Sequence, residues 1–229
     1  MNIRVSPDFS FSARRLACPW VYLRCMEART RLVVMVSGNG SNLQAILDAC
    51  ASGSLPAQVV AVVSNNPDAY ALRRAADAGV VSVHIGLHEG EDRADYDARL
   101  TDIVAGFAPD LVILAGWLRI LTTSFLGWFP DRVVNLHPAL PGELPGMRSI
   151  ERAWTEAQAG SRTRTGVMVH LVPDGGVDDG PVLASEEVAI HSDDTLESLE
   201  ARIHMVEHRI LVDTIRTLCQ QLSNQEATA

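Results

Sequence analysis

The chain has 229 residues, 47% of them hydrophobic and 21% charged, and a formal net charge of −9. That length suits one sizeable domain with a full core, and the composition is ordinary for a globular protein; the acidic balance argues against broad nucleic-acid binding, which needs basic stripes. All 19 basic residues are arginine, which excludes lysine Schiff-base chemistry and a Gly-Lys-Ser/Thr phosphate loop. Cys18, Cys25, Cys50 and Cys219 form no CxxC pair and no zinc-type spacing, so they read as free thiols of a reducing, cytoplasmic setting. No apolar run approaches the roughly 20 residues that span a bilayer.

Residues 1–29 carry Phe9, Phe11, Trp20 and Tyr22 without helical or strand period. Arg14-Arg15 ahead of residues 16–23 faintly suggests an export signal. Pro19 interrupts that stretch, however, Arg24 ends it, and no small-residue cleavage site follows. The segment reads as a poorly ordered extension, or as sequence upstream of a working start at Met26. The expected domain then covers 30–223, with a tail at 224–229.

From Arg31 onward the pattern is regular. Residues 32–36 form a short apolar run that breaks into Ser37-Gly38-Asn39-Gly40-Ser41-Asn42, and a helix follows with Leu43, Ile46, Leu47 and Cys50 on one face. Residues 59–63 are a second strand. A helix from about Ala69 stops at Gly79, a plausible C-terminal cap, and residues 80–85 are a third strand. Tyr96, Leu100, Ile103, Val104 and Phe107 mark an amphipathic helix between it and two further buried-type strands, at 111–115 and 132–136. Strands alternating with helices predict an α/β fold, Rossmann-like, with a mostly parallel sheet flanked by helices. Next come a Pro/Gly-rich loop at 138–146 and a helix carrying Ile150, Ala153, Trp154 and Ala157. Strands at 166–172 and 182–190 are joined by the loop 173–181. A long final helix over about 195–221 is headed by Asp194 and Glu197 as a capping box variant, with Leu196, Leu199, Ile203, Val206 and Ile210 as its buried stripe.

Four motifs offer chemistry. In the Ser37–Asn42 segment, two glycines permit a tight turn, and the helix N-terminus behind it favours an anion such as a phosphate, although a plain capped turn would look similar. It is not GxGxxG, so no dinucleotide fingerprint is met. Asn135 and His137 are two apart at the end of a predicted strand, so they project from one side, where an amide and an imidazole together can stabilise an oxyanion. Asp174-Gly175-Gly176-Val177-Asp178-Asp179-Gly180-Pro181 lacks the spacing of a calcium loop, but one of its carboxylates could orient a histidine and accept a proton. His204-Met205-Val206-Glu207-His208 matches a zinc-peptidase pattern without the context such a site requires, and no metal is expected; Glu207 could instead be a polar contact to a substrate.

Taken in this order, the pieces resemble the folate-dependent glycinamide ribonucleotide formyltransferases over roughly residues 31–222. The resemblance rests on SGNGSNLQAI at 37–46, LAGWLRIL at 114–121, NLHPAL at 135–140 and DGGVDDGP at 174–181. It implies an enzyme that moves a formyl group from 10-formyltetrahydrofolate to the amine of glycinamide ribonucleotide. By the same resemblance Asn135, His137 and Asp178 would be catalytic, with Asn135 and His137 donating to the tetrahedral oxyanion and Asp178 keeping His137 charged. Gly40, Ser41 and Asn42 would hold the substrate phosphate and Glu207 the ribose hydroxyls, with Arg93 adding positive charge near the substrate. Leu118, Arg119, Leu121, Val172 and Asp174 would line the folate pocket. One departure stands out: two positions after Pro145-Gly146 the family commonly has a histidine, where this chain has Arg148.

Relatives of different function fit less well. Methionyl-tRNA formyltransferases carry a further C-terminal domain and a basic face, and formyltetrahydrofolate hydrolases an N-terminal regulatory domain. A formyltransferase acting on an amino-sugar nucleotide and a non-catalytic nucleotide-binding module remain as alternatives. Small-molecule substrates, no nucleic acid, no membrane, and a monomer or homodimer are the expectations for partners.

Overall fold

The computed structural model describes residues 29–228. The expected extension, with Cys18 and Cys25, therefore lies outside the described residues apart from Arg29. The elements in chain order are β1 (Thr30–Val36), α1 (Ser41–Ala51), β2 (Ala57–Ser64), α2 (Tyr70–Asp77), β3 (Ser82–His84), α3 (Arg93–Gly106) and β4 (Leu111–Leu114). They continue with α4 (Thr123–Leu126), β5 (Val133–His137), α5 (Ser149–Gln158), β6 (Arg164–Leu171), β7 (Val182–Ala189) and α6 (Leu196–Thr228). The strands form one sheet in the order β3-β2-β1-β4-β5-β6-β7. The first five are parallel, and β6 and β7 are antiparallel additions on the β5 side.

Why the first strands read as continuous apolar runs is plain from β1: all five residues from Leu32 to Val36 are fully buried, because both sheet faces are covered. Side chains alternate, so Leu32, Val34 and Val36 pack with α1, α2 and α6, while Val33 and Met35 pack with α3 and α4. The expected stop of α2 at Gly79 is a Schellman motif. Gly79 is left-handed at φ 68°, its amide donates to the Ala76 carbonyl at 3.0 Å, and Val80 donates to Ala75 at 2.9 Å.

Two local expectations shift. The capping box of α6 is one residue later than expected: the Thr195 amide donates to Ser198 Oγ at 3.1 Å and the Ser198 amide to Thr195 Oγ1 at 3.2 Å. Asp194 instead accepts from the His191 amide at 2.7 Å and pairs with Arg202, so its charge is used against a side chain. The helix also continues to Thr228, past the expected end near Gln221. The short α4 has too few residues to show a period and was not anticipated. No helix among the described residues is long and apolar enough to cross a membrane.

Candidate active site

The sheet reverses its order between β1 and β4, and in open α/β sheets ligands bind beyond the strand ends at such a point. Ser37 marks it. Its hydroxyl donates to Asn65 Oδ1 at 2.7 Å, just past β2, and accepts from the Leu118 amide at 2.9 Å, past β4. The adjoining turn needs Gly40, whose φ is 75° and where a Cβ would lie 2.6 Å from that of Ala71. Gly40 stands at the N-cap of α1 and provides no side-chain cap, nor is there an acidic residue in the first turn. The helix thus presents its N-terminal amides and positive dipole end without an internal carboxylate cap. Arg74 braces the turn from α2, donating to the Asn39 carbonyl at 2.9 Å and to Asn39 Oδ1 at 3.0 Å. A cleft of about 350 Å³ between α1 and α2, lined by Gln44, Tyr70 and Arg74, opens on the α2 side of this turn and does not include the cluster at the end of β5.

Glu207 arrives from α6, buried. Its Oε2 accepts from Asn42 Nδ2 at 3.2 Å and is 2.7 Å from His204 Nδ1. The fold therefore joins two expected substrate residues that lie far apart in sequence. The partner carboxylate is the largest influence on His204 and raises its pKa. Among the described residues no three His, Cys, Asp or Glu side chains are grouped to hold a metal ion; His204 is turned to Glu207.

The second focus lies at the end of β5. Strand alternation sends Asn135 and His137 to the same face, and the loop after β6 returns Asp178 to meet them. Asp178 Oδ2 is 3.2 Å from His137 Nδ1 and accepts from the Gly146 amide at 2.8 Å; Asp178 Oδ1 accepts from Asn135 Nδ2 at 3.1 Å. The antiparallel register pairs Asn135 with His170, a residue not singled out by its motif. His170 Nδ1 lies 2.8 Å from the Leu171 carbonyl, which can only accept, so that nitrogen carries the proton. Its Nε2 faces Asn135 Nδ2 at 3.0 Å and lies 3.6 Å from Asp178 Oδ1. Only the direction of β6 could have revealed this neighbour, and a single histidine in an apolar strand does not encode direction.

His137 is buried, with Nε2 facing the Leu144 carbonyl at 3.1 Å and Nδ1 facing Asp178. Both nitrogens thus look at acceptors. Burial, the largest effect, pulls the His137 pKa below its ordinary value against the opposing pull of Asp178 and Leu144. The support that Asp178 was expected to give the ring's charge is one of these opposing effects. At Asp178 burial acts upward, but His170, the Gly146 amide and His137 together hold the carboxyl below its ordinary value. Asp178 also adopts a left-handed backbone, φ 54°, a strain that a short polar side chain tolerates best.

Between the two foci runs the segment after β4. Leu118 is exposed and Leu121 buried, while Arg119 and Arg93 flank the Tyr96 ring at 5.5 and 5.6 Å. Arg93 pairs with buried Asp97 at 3.4 Å, and so stands with Arg119 on this wall. Arg93 Nη2, Arg119 Nε and Trp117 Nε1 are buried donors without a hydrogen-bond partner among the described residues. Val172 continues the pairing of β6 with β5, its amide donating to the Val133 carbonyl at 2.9 Å. Asp174, exposed, accepts from the Gly176 amide at 2.9 Å and shapes the following loop. Arg148 is exposed and left-handed at φ 55°, opening α5.

With a mostly parallel sheet and a polar cluster at the ends of its central strands, the chain belongs to the formyl transferase family, whose model matches residues 30–215. Among curated proteins it is 44% identical to a phosphoribosylglycinamide formyltransferase of Schizosaccharomyces pombe, covering 82% of this chain and 96% of that one. It is 37% identical to the protein of the same name from Escherichia coli, covering 78% and 82%. Among solved structures, a glycinamide ribonucleotide transformylase from Symbiobacterium toebii superposes with a TM-score of 0.79 at 37% identity, covering 84% of this chain and 89% of that one.

Proposed function

We propose that this chain is the formyltransferase of purine synthesis that moves a formyl group from 10-formyltetrahydrofolate to the amine of glycinamide ribonucleotide, by direct amine attack. The observation that carries the reading is the convergence of Asn135, His137 and Asp178 at the end of β5. As the amine attacks, the formyl oxygen becomes an oxyanion, and preorganised N–H donors at Asn135 and His137 stabilise it. In the free site these donors rest on internal acceptors, Asp178, His170 and Leu144, and transfer to the oxyanion as its charge grows. The amine nitrogen becomes cationic on attack and must lose a proton. The His137–Asp178 pair, with a depressed imidazole beside an ionised carboxylate, is suited to take it. The oxyanion then collapses to the new formamide carbonyl, the bond from the formyl carbon to the folate N10 breaks, and that nitrogen leaves as an amine carrying the proton.

The nucleotide lies along the Ser37–Asn42 turn, its phosphate on Gly40, Ser41 and Asn42 and its ribose hydroxyls on Glu207. The folate is received by Leu118, Arg119, Leu121, Val172 and Asp174, and Arg93 lends positive charge near the nucleotide substrate; donors of Arg93 and Arg119 that have no partner among the described residues favour an anionic group beside them. The domain corresponding to this activity spans 30–223, working in the cytoplasm without a metal, as a monomer or homodimer. The test is formyl transfer by purified protein, followed by folate absorbance with glycinamide ribonucleotide as acceptor. Turnover in the natural chain that is lost in His137→Ala is the expected result. Folate binding without turnover would redirect the reading to another amine, such as an amino-sugar nucleotide.

A further inference from the structure

The His137 ring depends on a loop that has no secondary structure of its own. Residues 138–146 supply the Leu144 carbonyl to His137 Nε2 and the Gly146 amide to Asp178. Leu144 does this from a left-handed backbone, φ 47°, which a branched L-residue adopts only under constraint. Some of the constraint is packing: Leu144 joins Ala139 and Ala153 in a small core. Leu140 lies against Gly166 of β6 so closely that a Cβ there would collide with it.

The remaining constraint is electrostatic and adjoins Leu144 directly. Glu143 Oε2 pairs with Arg162 Nη1, and its Oε1 lies 3.4 Å from Arg164 Nη2. Arg162 also donates through Nε to Glu156 Oε2 at 2.7 Å, at the end of α5, and through Nη1 to the Arg164 carbonyl at 3.3 Å, on β6. Arg164 continues to Glu187 of β7 at 3.2 Å. The Arg162 side chain is mostly buried, at 17% exposure, so the pair is screened less than a surface ion pair. One guanidinium thus ties the active-site loop to α5 and β6, at the residue preceding the carbonyl that holds His137.

We infer that Arg162 is a positioning residue for the formyl-transfer step: through Glu143 it fixes the Leu144 carbonyl and with it the orientation of His137. The inference rests on the reading that His137 acts in catalysis. It assigns Arg162 no contact with either substrate. Arg162 sets kcat and leaves both KM values alone, because removing it lets the loop relax and the ring turn without touching the nucleotide or folate surfaces. Opening the loop also lets water reach His137. The groups facing that ring are Asp178 and His170 and, from α5, Arg152, with burial outweighing all of them. Hydration therefore moves the ring toward ordinary imidazole behaviour.

The experiment compares Arg162→Ala, Arg162→Lys and Glu143→Gln with the unmodified chain and with His137→Ala, in steady-state formyl transfer across pH, with thermal unfolding in parallel. The expected result for Arg162→Ala is a fall in kcat of about tenfold, with both KM values within twofold. The acid limb of the kcat–pH profile should move upward, Glu143→Gln should behave alike, and Arg162→Lys should regain most of kcat. A lower unfolding temperature in Arg162→Ala with kcat and the pH limb unmoved would overturn the inference, leaving a merely structural ion pair. A rise in KM at constant kcat would overturn it too. Full activity in His137→Ala would instead sink the catalytic reading beneath it. Should Arg162→Ala fold poorly, Glu143→Gln, which keeps the side-chain volume, decides the same question.

Discussion

At the Ser37–Asn42 turn the first amides of α1 are left without a side-chain cap, and at the Asn135–Asp178 cluster the polar groups face one another. The turn is built on the end of β1, buried from Leu32 to Val36, and on a glycine, and it leaves the amides of α1 without a side-chain cap. The cluster pairs Asn135, His137, His170 and Asp178 among themselves and with the Leu144 and Gly146 backbone. The difference suits what each is proposed to do. A site that holds a permanent anion can keep its donors waiting in water, whereas a site that meets charge only in the transition state must keep its donors oriented and dry.

The contrast breaks most visibly at Asn135. Asn135→Ala is expected to lower kcat by about 10²–10³, the usual cost of one oxyanion donor, with KM for the nucleotide nearly unchanged; rapid-quench turnover and steady-state kinetics measure both. An equal rise in KM would erase the division of labour. Gly40→Ala tests the other end. A left-handed alanine costs about 1–2 kcal/mol, and its Cβ would press on that of Ala71. Urea unfolding should show roughly 2–3 kcal/mol of lost stability, since overpacking adds its own share. In whatever folds, nucleotide KM should rise while kcat holds.

The smallest effect is in pH. The depressed pKa of His137 means the unfolded chain, at its ordinary 6.5, binds that proton more readily. Its contribution to stability is therefore complete above about 6.5 and is lost as pH falls through that value toward the folded one. Replacing His137 by Gln should flatten the decline in stability between pH 7.5 and pH 5.5, as read by denaturant midpoints. An unchanged decline would mean that the cluster is more hydrated than its geometry indicates.

Much of the parallel half was legible because burial on both faces leaves apolar runs, and because Gly79 and the Ser37–Asn42 segment punctuate them. The pairing of Asn135 with His137 follows from strand alternation alone. Asp178 could be nominated by its motif, but its meeting with them depends on β6 running antiparallel, which neither Met168 nor His170 announces. The same blindness hid His170, the Leu144 carbonyl and the Arg162 tie: backbone acceptors have no residue code, and ion pairs between loop and strand have no fixed spacing. Arg93 was assigned to the substrate by resemblance, and only the packing of Tyr96 groups it with Arg119.

The Ser37 hydroxyl acts as a gauge. A hydroxyl has one proton to give, here given to Asn65, and lone pairs to share, here with the Leu118 amide. The spacing between the nucleotide turn and the wall that begins at Leu118 is thereby set by the reach of a single oxygen atom. On the proposed assignment of the nucleotide to the turn and the folate to the wall, the two binding surfaces are tied together by an atom that contacts neither substrate.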